Sequence, residues 1–181
     1  MRRLAKYLDR DGLLKIFHAF IRSNFQYANT VWHFTNTPNI IKMEKIHRRA
    51  LRVVLNDYIS SYKILLEKAN VSSLYVSRIK VIAIETYKCI NKINPKFLHS
   101  LFNINDTGYQ LRDDKKIQLP IVNSTTYGLH SFKYEASKIW NMVPYNIKNT
   151  EKLSLFITHI NNWAGPQCVC GNCILCHIHV L

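Results

Sequence analysis

The stretch from Thr37 to Leu55, Thr-Pro-Asn-Ile-Ile-Lys-Met-Glu-Lys-Ile-His-Arg-Arg-Ala-Leu-Arg-Val-Val-Leu, leaves little choice of conformation. Thr37 can cap a helix and Pro38 can open it. On a 3.6-residue turn the side chains sort into two faces. Ile40, Met43, Ile46, Ala50, Val53 and Val54 form an apolar side. Lys42, Lys45, Arg48, Arg49 and Arg52 form a cationic side, offset locally by Glu44 alone. The helix therefore has a packing face and a basic face. The basic face reads either as a solvated surface or as one that tracks phosphates.

The charge of the whole chain points the same way. Lys and Arg total 25 against 11 Asp and Glu, for a net charge of +14. Such an excess selects an anionic partner, nucleic acid first and an acidic membrane surface second. At 181 residues, 48% of them hydrophobic, the chain is one domain, or one domain with a small appendage, and has enough apolar material for a core. No apolar run reaches membrane-spanning length. The segment Met-Arg-Arg-Leu-Ala-Lys-Tyr-Leu-Asp-Arg lacks the apolar centre of a signal peptide, so the expected location is intracellular, nuclear or cytoplasmic.

Helical spacing recurs along the chain. Asp11 and Gly12 can start a helix whose stripe is Leu13, Phe17, Phe20, Ile21 and Phe25, running to about Ala28. Val31, Trp32 and Phe34 form a bulky patch read as core. Asn56-Asp57 ends the Thr37 helix, and Ser60 or Ser61 caps a short helix from Tyr62 to Lys68. Ser72-Ser73 begins the longest helix. Its buried face is expected to be Tyr75, Ile79, Ile82, Ala83, Thr86, Ile90 and Ile93, with Arg78, Lys80, Glu85, Lys88 and Lys92 elsewhere. Asn94-Pro95 stops it, and Phe97, Leu98, Leu101 and Phe102 make one more short segment. Between Asn103 and Ser131 the helical period disappears. Ile117, Leu119, Ile121 and Val122 suit a strand kept at an edge by Pro120, with a short hairpin partner at Gln110–Leu111. The period returns in Phe132, Ala136, Ile139, Trp140 and Val143, and again in Leu153, Phe156, Ile157, Ile160 and Trp163 after a Thr150 cap.

No catalytic set stands out: there is no Gly-rich phosphate loop and no Gly-x-Ser-x-Gly elbow. His18 and His47 read as surface or boundary residues. Asp113-Asp114 resembles a metal-binding pair only superficially. A polymerase palm has an aromatic two residues before the first Asp, whereas here Leu111 holds that position and charges flank the pair, which reads as a solvated loop. Cys89 reads as a small hydrophobe. The other four cysteines crowd the run Cys168-Val-Cys170-Gly-Asn-Cys173-Ile-Leu-Cys176-His177-Ile-His179. In a reducing compartment that spacing suits Zn²⁺ on Cys168, Cys170, Cys173 and Cys176, with His177 or His179 able to replace one thiolate. The alternative is a free-thiol tail.

Several segments together resemble one family. Phe20-Ile-Arg-Ser-Asn-Phe-Gln-Tyr27 with Val31-Trp32 looks like the thumb region that follows the palm in non-LTR retrotransposon reverse transcriptases of the jockey-like elements. Lys45-Ile-His-Arg-Arg-Ala-Leu-Arg52 resembles their next helix. Tyr127-Gly-Leu-His-Ser-Phe132 and Ile139-Trp140-Asn141-Met-Val-Pro144 are similar to a family pattern, Gly-x-x-Ser-Phe followed by Leu-Trp-Asn-x-Leu-Pro. Phe156 to Trp163 and the cysteine run resemble the C-terminal end of those reading frames. The resemblance implies an RNA-directed DNA polymerase, but of its parts only the thumb and C-terminal region, which hold template RNA and target DNA. The palm aspartates, fingers and endonuclease have no counterpart here.

The expected fold is mainly α, a thumb-like helical bundle with a small irregular or β insertion near 103–131 and a short Cys-rich tail. The expected divisions are 1–102, 103–164 and 165–181. The expected function is binding of RNA or DNA backbone through Lys42, Lys45, Arg48, Arg49 and Arg52, with no membrane partner, no catalytic residue and the rest of a polymerase chain as a natural associate. The competing expectation is a stand-alone helical protein-interaction module.

Overall fold

A computed structural model describes residues 3–29, 33, 37–104, 113–124, 128–166 and 178. Its described residues are mainly helical, and local sequence explains most of the helix ends. Asp9 holds extended backbone and its carboxylate accepts the Gly12 amide at 3.0 Å, which caps α1 (Arg10–Ile16). The run continues as a π-helical segment, Phe17–Arg22, and then as α2 (Ser23–Gln26). Ala28, with φ of 49°, ends it. The wider π turn changes which side chains face inward. Leu13, Phe17 and Ile21 pack into the core, while Phe20 is 69% exposed. The expected stripe is thus corrected at Phe20.

α3 spans Thr37–Leu55, with Pro38 in its first turn. Asn56 takes a left-handed conformation after it. The Asp57 carboxylate then accepts the Ile59 and Ser60 amides, and Lys68 Nζ pairs with it at 2.5 Å, turning the chain into α4 (Tyr62–Ala69). Asn70, also left-handed, closes α4. α5 runs from Leu74 to Ile90, and a 3-10 turn follows at Lys96–Leu98. Ser131 caps α6 (Phe132–Met142) by accepting the Tyr134 amide. Val143-Pro144 separates it from α7 (Tyr145–Lys148), and α8 is Leu153–Asn162. Lys152, not Thr150, occupies the α8 cap position; the Thr150 hydroxyl instead donates to the Ile147 carbonyl at 2.8 Å. No helix among the described residues is long and apolar enough to cross a membrane.

The chain divides into two units, one comprising the residues up to Arg78 together with Ile178, the other Ile79–Pro166. The first is built around Leu13, Phe17, Ile40, Leu51, Val54, Tyr62, Leu65, Ala69 and Ile178. Trp32, Val31 and Phe34 lie outside the described residues. In the second, the Tyr87 and Phe156 rings stack at 4.2 Å between centroids and Trp140 lies 6.0 Å from Phe156. The Tyr87 hydroxyl contacts the Thr150 and Glu151 carbonyls, each at 2.8 Å. Cys89 is buried, as expected of a small hydrophobe.

The segment near 103–131 carries an isolated antiparallel bridge, Ile104 to Ile117, and no strand occurs among the described residues. Gln110–Leu111 lie outside them. The strand expected over Ile117–Val122 is replaced by irregular chain because a side chain supplies what a neighbouring strand would. The Asn141 amide accepts from Ile117 N at 2.9 Å and donates to Ile117 O at 2.9 Å. Trp140 Nε1 donates to the Lys115 carbonyl at 2.7 Å, securing the same strip. Ile117, Leu119 and Ile121 would share one strand face, yet Ile117 is buried and Ile121 is 97% exposed. At Gly128 an added Cβ would stand 2.7 Å from Val122 Cβ, so no larger residue fits without movement.

Asn141→Ala should destabilise the second unit by about 1–3 kcal/mol, because two partly buried backbone groups lose their partners. Asn141→Asp should rescue it only in part, since a carboxylate accepts from Ile117 N but cannot donate to Ile117 O. Urea unfolding of both variants checks this; an Asp variant as stable as the parent would refute the clamp.

Candidate nucleic-acid interface

The described basic residues of α3 occupy the side opposite its buried line. Lys42, Lys45 and Arg49 are exposed, and Arg48 and Arg52 are half-buried. At 1.5 Å per residue, Lys42, Lys45, Arg49 and Arg52 form a row roughly 15 Å long. Arg48 sits beside it. Burial, then the neighbouring Arg52 and Arg49 charges, lower the Arg48 pKa, but a guanidinium remains cationic throughout. Arg52 Nε is buried with no hydrogen-bond partner among the described residues. The five expected residues are therefore brought together, with Lys42, Lys45 and Arg49 facing solvent most directly.

The packing side differs from expectation. Ile40, Glu44, His47, Leu51 and Val54 are the buried residues of α3, whereas Ile46 is 50% exposed and Met43, Ala50 and Val53 are only half-buried. The helix is rotated so that a glutamate and a histidine enter the core. Glu44 is satisfied there by residues distant in sequence, and His47 through Nδ1 alone, its Nε2 being buried with no hydrogen-bond partner among the described residues. Tyr62 OH donates to Glu44 Oε2 at 2.6 Å, and the amides of Leu74 and Tyr75 donate to the same carboxylate at 3.3 and 2.7 Å. Glu44 thus occupies the anion position at the N-terminus of α5, where orphan amides and the helix dipole favour a carboxylate. Ser73 Oγ accepts the Val76 amide and completes that end. With the phenol proton committed to Glu44, the 2.6 Å contact between His47 Nδ1 and Tyr62 OH assigns the histidine proton to Nδ1.

The electrostatics follow from this arrangement. Burial raises the Glu44 pKa, opposed by Tyr62, the Tyr75 amide, Arg78 and the Leu74 amide. Burial and then Glu44 keep the Tyr62 phenol protonated. Burial, with smaller contributions from Arg22 and His18, lowers His47 to about 3. Arg78, expected on the solvent side of α5, is 1% exposed, with its guanidinium 5.7 Å from the centre of the Tyr75 ring and within the field of Glu44. His33, stacked on Tyr75 at 5.5 Å, is likewise lowered to about 3 by burial and then Arg78. His18 stays exposed, as expected.

These polar core residues run against the ordinary expectation that charged and polar side chains face solvent. A signal was present: Ile40, Glu44, His47, Leu51 and Val54 keep a four-three spacing as regular as any apolar stripe. The other candidates are distributed differently. Asp113 pairs with Lys148 at 2.7 Å, and Lys148 is fully buried against Trp140, 5.9 Å from its ring centre. Asp113 is thus engaged by a cation rather than solvated, while Asp114 is exposed. Among the described residues no group of three His, Cys, Asp or Glu side chains could hold a metal ion. Cys168, Cys170, Cys173, Cys176, His177 and His179 lie outside them. Ile178 alone of that run is described, and it belongs to the core of the first unit.

Comparisons with family models, curated proteins and solved structures returned no match.

Two predictions follow from the geometry of α3. Ile46→Asp, on a half-exposed position, should change stability by less than about 1 kcal/mol, whereas Leu51→Asp, fully buried, should unfold the first unit by leaving a carboxylate unpaired in the core. Circular dichroism with urea titration separates the two, and comparable losses would place α3 in the wrong rotation. The second concerns pH. Below about 6.5 the unfolded chain protonates His47, which the folded chain refuses until about 3, so stability is complete above 6.5 and falls with pH at about 1.4 kcal/mol per unit. His47→Gln should remove that slope. From pH 7 to 5 the parent should lose about 2 kcal/mol more than the variant, while Glu44 and His33 act equally in both. Parallel pH curves would refute the buried neutral histidine.

Proposed function

We propose that this chain is a thumb-like, nucleic-acid-binding C-terminal piece related to non-LTR retrotransposon reverse transcriptases, and that it holds RNA or DNA inside the cell through phosphate contacts. The single observation that carries this reading is the row Lys42, Lys45, Arg49 and Arg52, which projects from a helix whose other side is anchored in a core. Phosphates on one strand advance about 3.4 Å along a duplex, so a row of roughly 15 Å can run beside several of them. The net charge of +14 adds a long-range attraction for any polyanion. Lysine and arginine contacts to phosphate carry no base information, so binding through the row is only weakly dependent on sequence.

The chain alone carries out no nucleotide transfer in this reading. Two-metal chemistry needs converging carboxylates, and the nearest candidate, Asp113, is held by Lys148. Polymerase activity would belong to the remainder of a longer polymerase chain, which is the natural partner. The clustered thiolates of Cys168, Cys170, Cys173 and Cys176 have the donor chemistry for one structural Zn²⁺, which would tie that run together. Metal analysis under reducing conditions should give about one equivalent of zinc, lost when all four are changed to Ser. Equal metal in the parent and the Ser variant would eliminate the site.

The experiment that tests the binding reading is a salt titration. Neutralising about five duplex phosphates predicts a log–log salt slope of roughly −4 to −5. Changing Lys42, Lys45, Arg49 and Arg52 to Gln should flatten it by about one for each lost contact and leave helix content unchanged, since Gln is also a good helix former. If the variant keeps the affinity and slope of the parent on both RNA and DNA, the row is only a solvated surface and a protein-interaction module becomes the better description.

A further inference from the structure

The turn that leaves α5 is held by hydrogen bonds along its length. The Lys92 amide donates to the Cys89 carbonyl at 3.2 Å and the Ile93 amide to the Lys88 carbonyl at 2.9 Å, the pairing that closes many helices on a glycine. Here Lys92 takes the glycine's place, with φ of 58°. Asn91 Nδ2 donates to the Tyr87 carbonyl at 2.9 Å, Asn94 Nδ2 to Cys89 Sγ at 3.3 Å, and His99 Nε2 to the Asn94 carbonyl at 2.5 Å. The 3-10 turn Lys96–Leu98 sits inside this frame. On it the Phe97 ring is 78% exposed. An apolar ring of this size gains nothing from water.

The charge on this turn is one-sided. Lys92 and Lys96 are exposed, and neither has an ion-pair partner among the described residues. From Thr86 to Asn105 the sequence contains no Asp or Glu. Besides Phe97, Ile93 is the other large apolar side chain exposed on the turn, and Asn91, Pro95 and Ser100 complete its exposed surface. That is little apolar area for a bilayer to take up. A flat ring accompanied by cations matches a ligand that carries flat faces and negative charges in alternation, which is a nucleotide strand. We propose that Phe97, Lys92 and Lys96 form a binding site for single-stranded nucleic acid, with a base stacked on the ring and the flanking phosphates on the two lysines. A duplex hides its base faces, so only an unpaired strand can use the ring. Because the turn is already fixed, ordering it costs the complex little. The site stands on residues of the second unit and does not depend on the row of α3.

The test uses the full chain carrying the four Gln substitutions of α3, so that the row does not mask the ring. Its probes are a labelled oligothymidine and an abasic strand of the same length, followed by fluorescence anisotropy across salt. Phe97→Ala should weaken oligothymidine binding about tenfold. It should leave the abasic-strand affinity and the urea midpoint unchanged, because that strand has no base to stack and the ring is exposed. Phe97→Trp should keep the binding, whereas Phe97→Leu, apolar but without a ring face, should lose it as Ala does. Lys92→Gln/Lys96→Gln should flatten the salt slope on oligothymidine by about 1.4. Equal loss on both strands, no loss on oligothymidine, or a Leu variant that binds as Phe does would overturn the site. So would binding to phosphatidylserine vesicles that Phe97→Ala abolishes. The α3 row is judged by the parent against the four-Gln chain, and this site by Phe97 variants within that chain, so either can fail alone.

Discussion

The buried carboxylate of Glu44 ties three elements of the first unit together. From α3 it reaches the phenol of α4 and the first two amides of α5. A charged group in a core is costly unless its hydrogen bonds are supplied by fixed partners. Here they are supplied by a hydroxyl and by backbone N–H groups that would otherwise lack acceptors. The same contacts fix how α3 is rotated, and the rotation decides which cations face outward. The direction of the basic row is therefore a consequence of an interaction inside the protein, on the opposite side of the helix.

How far the sequence revealed this can be judged element by element. The helices at Thr37–Leu55, Tyr62–Ala69, Phe132–Met142 and Leu153–Asn162 were legible because aliphatic and aromatic residues recur at helical spacing between recognisable ends. The row of cations was legible too, since exposed Lys and Arg have little alternative to solvent. The rotation of α3 was not. Glu44 and His47 are bonded to Tyr62, Leu74 and Tyr75, residues far away in the chain, and no local pattern announces such partners. Arg78 and Lys148 escaped for the same reason: each is buried beside a ring, Lys148 paired with Asp113 and Arg78 within the field of Glu44. Phe20 was misplaced by a change of helical period, which a search at a fixed period cannot register.

The residues that carry the resemblance in the second unit have structural work to do. Gly128 makes room for Val122, Ser131 caps α6, Trp140 and Asn141 hold the strip at Lys115–Ile117, and Pro144 follows the end of α6. Each is needed for the geometry of this unit whatever the unit binds. These residues therefore serve the architecture of the second unit, whereas the basic face belongs to α3 in the first.

Ile178 belongs to a core otherwise formed by residues between Leu13 and Ala69. The second unit, Ile79–Pro166, lies wholly between these contributors in the chain. During synthesis the early helices emerge first, yet their core lacks one of its side chains until the intervening unit has been made. The continuous unit can complete itself in order of translation, whereas the discontinuous one must close a long loop at the end. The core of the first unit therefore includes a side chain encoded only after the whole of the second unit.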